Sequence, residues 1–348
     1  VDAPVRVMLP GKGLMAVQYF VPSGGGRPLL AGARPGRIGC WDASTGQVLW
    51  QAELGDVGCF DLVFADTGEG SAVLAAATRR GIGIWDAATG RLRCAPLSGE
   101  ISGSRWDVKV QSLGVGRLPD GRSFFAGAGY CCDVLRWDAA TGEPVGRPLH
   151  GHKYSVSSVE VVELPNNTTI IVSGAEDETI VRWDAASGRQ VGQTIAAGTD
   201  AAKFASLLLP DGRLLVAECY GGDPIYCRDA ATGNLVSRPV TTGPPQQWIS
   251  NIELVMAEGR PRLVASPRSG DARQWDVFSG RELEPLAGGA FAVFRGNREC
   301  LIAGLRPSPG EIYIGPVEVL QKLGSAASSV ALQELQGPER PYRLRDHL

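Results

Sequence analysis

The chain has 348 residues, with 34 Lys and Arg against 37 Asp and Glu, for a net charge of −3. So even a balance lacks the basic excess that phosphate-backbone binding needs, which excludes nucleic acid as the expected partner. No run approaches the ~18–20 consecutive apolar residues of a membrane span, and no basic-then-apolar leader opens the sequence, so a soluble, cytoplasmic chain without membrane attachment is expected. The sequence starts at Val1 rather than Met, which reads as a chain processed or cut from something longer.

In chain order, residues 5–9 read as a short strand, and a first unit (4–46) ends in Trp41-Asp42-Ala43-Ser44-Thr45-Gly46. The second unit (47–90) has turn residues at 65–68 and ends in Trp85-Asp86-Ala87-Ala88-Thr89-Gly90. The third (91–142) carries an insertion near 99–107, a Leu118-Pro119-Asp120-Gly121 turn and the ending Trp137-Asp138-Ala139-Ala140-Thr141-Gly142. The fourth (143–188) has apolar runs at 159–161 and 170–172 around Pro165-Asn166-Asn167, then Trp183-Asp184-Ala185-Ala186-Ser187-Gly188. The fifth (189–233) turns at 209–212 and replaces Trp by Arg in Arg228-Asp229-Ala230-Ala231-Thr232-Gly233. The sixth (234–280) turns at Glu258-Gly259 and ends in Trp275-Asp276-Val277-Phe278-Ser279-Gly280. A seventh unit (281–315) keeps the apolar runs, at 291–294, 300–303 and 312–314, but has Ile314-Gly315 in place of Trp-Asp. Residues 316–348 are surplus to the repeat and offer either a short helix at 328–335 or a closing strand at 317–320.

The phrase starts at 41, 85, 137, 183, 228 and 275, a spacing close to the ~40–45 residues of a four-stranded propeller blade. Its mechanics follow from its residues. Trp ends a strand where a large ring can fill the wedge between sheets, Asp caps the turn through its carboxylate, and Gly takes the positive φ that a tight hairpin requires. The expected fold is all-β: a seven-bladed β-propeller of four-stranded antiparallel blades spanning 1–315. Strand 5–9 is expected to complete the last blade, because closing a ring removes exposed sheet edges.

These motifs resemble the WD40 repeat family over nearly the whole chain, in a degenerate bacterial-type array. The resemblance implies a β-propeller that serves as a protein-interaction platform. In that family a His, a Ser or Thr, an Asp and the Trp form a hydrogen-bonded tetrad within a blade. His152, Ser173, Asp177 and Trp183 match it in full. Counting back six from the other Trp-equivalent positions gives Pro35, Arg79, Cys131, Gly222 and Ser269, and counting back ten gives Ala31, Ala75, Gly127, Glu218 and Ala265. The array thus keeps its turns and loses most of its internal polar networks.

No GxSxG, HExxH, Walker-type or strand-borne GxGxxG motif occurs, so no enzyme activity and no cofactor are expected. The three histidines, His150, His152 and His347, leave little for general-base or metal chemistry. Eight cysteines form no CxxC pair, so no metal site is expected, and a reducing compartment fits them. Vicinal Cys131-Cys132 reads either as a redox or metal element or as space-filling thiols. Glu218 either marks a pocket or reflects a one-residue alignment slip.

Function is then expected on a face of the disc. The loops that the resemblance assigns to the top face carry Arg34, Arg37, Arg79, Arg80, Trp106, Tyr130, Lys153, Tyr154, Tyr220, Trp248 and Arg268. Aromatic and arginine side chains supply much of the binding energy of interfaces. The expected site is Trp106, Tyr130, Tyr154, Tyr220 and Trp248, with Arg79, Arg80 and Lys153, receiving a protein or peptide on a monomeric scaffold. Trp106 and Trp248 are alternatively plugs of the shared core. A small-molecule or catalytic pocket at the channel mouth, and a regulatory or sensor domain of a larger protein, are the competing readings.

Overall fold

The computed structural model describes residues 5–8, 16–22, 26–55, 58–68, 71–78, 80–97, 110–197, 203–221, 224–242, 248–267, 272–285, 290–295, 300–305 and 311–316. Among them the strands form seven antiparallel sheets, each a meander of chain neighbours. The first sheet is Ala16–Phe20, Leu29–Arg34, Arg37–Asp42 and Val48–Glu53; the second is Cys59–Gly68, Ser71–Thr78, Gly81–Asp86 and Leu92–Leu97. The third is Val110–Arg117, Ser123–Gly129, Asp133–Asp138 and Leu149–His150; the fourth is Val156–Glu163, Thr169–Ala175, Thr179–Asp184 and Ile195–Ala196. The fifth has Lys203–Leu208, Leu214–Cys219 and Tyr226–Asp229, and the sixth Ile249–Ala257, Arg260–Pro267 and Arg273–Asp276. The last has Ala290–Arg295, Cys300–Leu305 and Glu311–Pro316, with Val5–Met8 paired along the outer side so that Val5 faces Ile314 and Met8 faces Glu311. Opening strands of successive sheets touch in turn, and that of the last touches that of the first.

Burial explains this layering. The second strands, covered on both faces, are apolar without alternation: every residue of Ser123–Gly129 and Thr169–Ala175 is buried. The fourth strand of the first sheet is largely open, with one buried residue in six. Separate apolar clusters fill the wedges between sheets, and four of the repeat tryptophans belong to the wedge against the preceding sheet. Trp85 packs with Leu29, Ile38 and Trp50, Trp137 with Val63 and Ile84, Trp183 with Phe124 and Leu149, and Trp275 with Leu215 and Ile225. The rings lie so close over their own strands that a Cβ on Gly83 would stand 2.3 Å from Trp85.

The turn phrase works through its Asp. Asp42 Oδ1 accepts from Ser44 N at 2.9 Å and from Ser44 Oγ at 2.5 Å, and Gly46 N returns to Asp42 O at 2.8 Å with φ of +72°. Asp86, Asp138, Asp184, Asp229 and Asp276 repeat the arrangement. Burial alone would raise Asp42, Asp86, Asp138 and Asp276, but the turn's hydrogen bonds outweigh it and hold all four below the usual carboxylate range.

Two expectations need correction. Among the described residues the fifth and sixth sheets are three-stranded: in place of fourth strands there are isolated bridges, Arg228 with Leu235, Ile225 with Val240, and Trp275 with Glu282. Pro239, which has no N–H to donate, interrupts this edge in the fifth. The count back from Trp also slips in the first two sheets. Trp41 faces Leu30 and Trp85 faces Leu74, whereas Trp137, Trp183 and Trp275 face residues one position further back, Phe125, Ile171 and Leu263. The cause is a hairpin shorter by one residue, with Arg34 opposite Arg37 and Thr78 opposite Gly81, against Ala175 opposite Thr179. Gly32 and Ala76, not Ala31 and Ala75, occupy the place of Ser173, and the middle residue that would correspond to Asp177 does not exist there. The extension 316–348, apart from Pro316, lies outside the described residues.

Candidate binding surface

In the fourth sheet the four tetrad side chains meet. Trp183 Nε1 donates to Ser173 Oγ at 2.8 Å, His152 Nε2 lies 2.8 Å from the same oxygen, and His152 Nδ1 lies 3.3 Å from Asp177 Oδ1. Asp177 also accepts from Lys153 N at 2.7 Å, which ties down the loop leading into the sheet. Burial pushes the His152 imidazole below its ordinary pKa, against the pull of Asp177, so the ring is held neutral as a hydrogen-bonding strut.

The fifth sheet shows what became of this network. Glu218 and Arg228 stand at the places of Ser173 and Trp183, and Arg228 Nε donates to Glu218 Oε1 at 2.8 Å. Glu218 is fully buried. It therefore belongs to an internal ion pair substituting for the Ser–Trp hydrogen bond, and the residue spacing was correctly aligned at this position. Sequence reading also missed ties between sheets. Trp50 Nε1 donates to Ala87 O at 2.8 Å, and Arg136 Nη1 to Ala185 O at 2.5 Å, so the carbonyl just after the turn Asp is fastened to the preceding sheet in both cases. Arg136, directly before Trp137, was the available signal.

A third set lies where opening strands meet. Asp61 Oδ2 accepts from Leu113 N of the next sheet at 2.8 Å and its Oδ1 from Leu62 N at 2.8 Å. Ser112 Oγ accepts from Val159 N at 3.1 Å, and Ser206 Oγ donates to Glu160. Burial raises Asp61 to about 6, with the amides of Leu113 and Leu62 and the charge of Lys203 opposing and Glu160 adding to the rise. A bulge at residue 60 turns Asp61 inward, and nothing in the repeat phrase signals it.

The thiols are poorly suited to chemistry. Burial pushes Cys40, Cys59 and Cys227 up to about 12, and desolvation also raises Cys131 and the exposed Cys132. Cys131 is partly buried against the second and third sheets. His150, on the outer strand, places Nδ1 2.6 Å from Asp133 Oδ1.

The connections between second and third strands, and those leading into opening strands, emerge on one face. Tyr130 and Tyr154 are each 62% exposed there, Tyr220 is 43% and Trp248 49% exposed. Arg80 and Lys153 are exposed as well. Trp106, Arg79 and Arg268 lie outside the described residues. For Trp248, the exposure argues against a core plug.

These aromatics follow one pattern, used twice. Cys131 O, next to Tyr130, accepts from Val156 N at 3.0 Å, and Gly221 O, next to Tyr220, accepts from Ile249 N at 2.9 Å. Tyr154 and Trp248 stand just before those donors. An aromatic pair thus straddles the junction of the third and fourth sheets and again that of the fifth and sixth. The Tyr220 and Trp248 rings meet edge to face, with centroids 6.3 Å apart and planes at 61°. Gly221, at φ of +56°, lies under Trp248, where a Cβ would come within 3.2 Å of the ring.

Seven meandering sheets with wedge-filling aromatics define a β-propeller. The chain belongs to the family described as outer membrane protein assembly factor BamB, whose model matches residues 15–277. That is a propeller family; the match is not to WD40 repeats as such. No curated protein matches the chain.

Proposed function

We propose that the chain is a WD-type propeller of seven blades, closed by strand 5–8, that works as a non-enzymatic scaffold holding a protein or peptide on its aromatic face. The circuit of touching opening strands and the pairing of Val5–Met8 with Glu311–Pro316 support seven blades and closure. The repeated Asp turns and the His152 network support the WD type. The family's description names an assembly factor, which fits a protein partner. Cys40, Cys59, Cys94, Cys131, Cys132, Cys219 and Cys227 are free, which fits a reducing compartment.

The exposed aromatic pairs carry the reading. Large rings left about half exposed in the free chain gain contact area when a partner covers them, and rigid rings lose little entropy on binding. The test is capture by the immobilised full chain, followed by re-binding of the identified partner in pure form. Tyr220→Ala/Trp248→Ala is expected to weaken that binding by about tenfold or more, as hot-spot residues do. Undiminished binding by the folded variant would contradict the reading.

A further inference from the structure

We propose that the Tyr130–Tyr154 junction receives an arginine-bearing segment of another protein, the arginine lying over the tyrosine rings and reaching Glu176 and Glu178. This rests on the reading of the aromatic face as a binding surface and names the chemistry of its occupant at this junction.

The backbone lays the junction out. Val156 N donates to Cys131 O at 3.0 Å, and Ser155 O accepts from Glu176 N at 3.0 Å. These two bonds leave one peptide unit, and a trans peptide points its C=O and N–H in opposite directions. The stretch leading into the fourth sheet therefore runs between two hairpins, with Tyr130 on the third-sheet side of Tyr154 and Glu176 on the fourth-sheet side. Asp177 anchors the same stretch through Lys153 N at 2.7 Å, and Glu178 N closes the fourth-sheet hairpin on Ala175 O at 3.2 Å. Both tyrosines are 62% exposed, and Glu176 and Glu178 are exposed with them.

Charge complementarity says which partner fits. Glu53, beside the corresponding hairpin of the first sheet, already accepts from Arg37 Nε at 2.7 Å. Among the described residues neither Glu176 nor Glu178 has an ion pair or a side-chain hydrogen bond, so both charges are open to a ligand. Exposed Lys153 sets a single positive charge against the two, which leaves the junction negative. Arginine meets rings and carboxylates together: its planar guanidinium stacks on an aromatic face and presents a fork of N–H donors to an acid.

The test selects random peptides displayed on phage against the immobilised full chain and, in parallel, against Tyr130→Ala/Tyr154→Ala. Peptides enriched by the parent alone are expected to share an arginine. One of them, made synthetically, is expected to lose about tenfold or more in affinity when its arginine becomes citrulline, the neutral isostere, and likewise on Glu176→Gln/Glu178→Gln. Lys153→Ala removes the opposing charge and is expected to tighten binding. The citrulline arm leaves the protein untouched, so it stands even where a variant misfolds. Equal affinity for the arginine and citrulline peptides, affinity unchanged by the glutamate substitutions, or affinity lowered by Lys153→Ala would overturn the proposal. Peptides that need the tyrosines but carry no arginine would remove this occupant and leave the surface standing; if no peptide depends on the tyrosines, the surface falls too.

Discussion

Single residues decide how the degenerate repeats stay folded. The Glu218–Arg228 pair is inside, and removing one member of a buried pair leaves the other charge uncompensated. Glu218→Ala is therefore expected to destabilise by about 3–5 kcal/mol in urea unfolding. Glu218→Ser/Arg228→Trp, which recreates the Ser173–Trp183 bond of the fourth sheet, should recover most of that loss; no recovery would refute the substitution argument. Two titrating groups give opposite pH dependences. His152 is held below its ordinary value, so between that depressed pKa and about 6.5 the unfolded chain binds more protons, and stability falls as pH drops through that window. Asp61, raised to about 6, is protonated more readily in the folded chain, so its contribution weakens stability as pH rises from ~3.8 to about 6. Urea midpoints across pH 4–8 should lose the first slope in His152→Gln and the second in Asp61→Asn. A profile unchanged by either substitution would show that these groups are not perturbed. The tetrad was readable from residue spacing because four residue types must coincide; Asp61 was not, because a bulge, invisible in composition, turns it inward.

Elements were legible to the degree that their chemistry is local. The Asp-turn-Gly hairpins depend on residues within six positions of one another, and the sequence displays them. The outer strands depend on edge pairing, and in the fifth sheet Pro239 with neighbouring polar residues leaves isolated bridges in place of a continuous fourth strand. The ties between sheets join residues some 37 to 49 positions apart, Trp50 to Ala87 and Arg136 to Ala185, so no local pattern reveals them. Arg136→Met should cost about 1–3 kcal/mol by leaving the Ala185 carbonyl unmatched. Packing is as tight as hydrogen bonding: Gly83→Ala drives a methyl into Trp85 and is expected to cost about 1–3 kcal/mol, read as a lowered thermal midpoint. A neutral result would mean that the wedge between the first two sheets is loosely filled.

At the scale of the molecule, repetition made the propeller readable, while the expectation of a seventh unit, lacking Trp-Asp, rests on apolar spacing alone. If strand 5–8 closes the ring, Val7→Pro, opposite Ile312, should lower the melting temperature of the entire chain and not fray one end. The aromatic face was readable as a set of residue types; its pairing across sheet junctions needed the register, and Trp106 and Arg79 fall outside the described residues. Stability and recognition are thereby separated: wedge tryptophans, the tetrad and the inter-sheet ties hold the fold, and the exposed rings at the junctions are the surface we propose for binding. Melting temperature and partner affinity measured side by side for Tyr130→Ala/Tyr154→Ala/Tyr220→Ala/Trp248→Ala test this most directly. The account predicts lost affinity with a melting temperature close to that of the parent, since exposed substitutions usually change stability by within about 0.5 kcal/mol each. Retained affinity, or a collapse of the melting temperature, would contradict it.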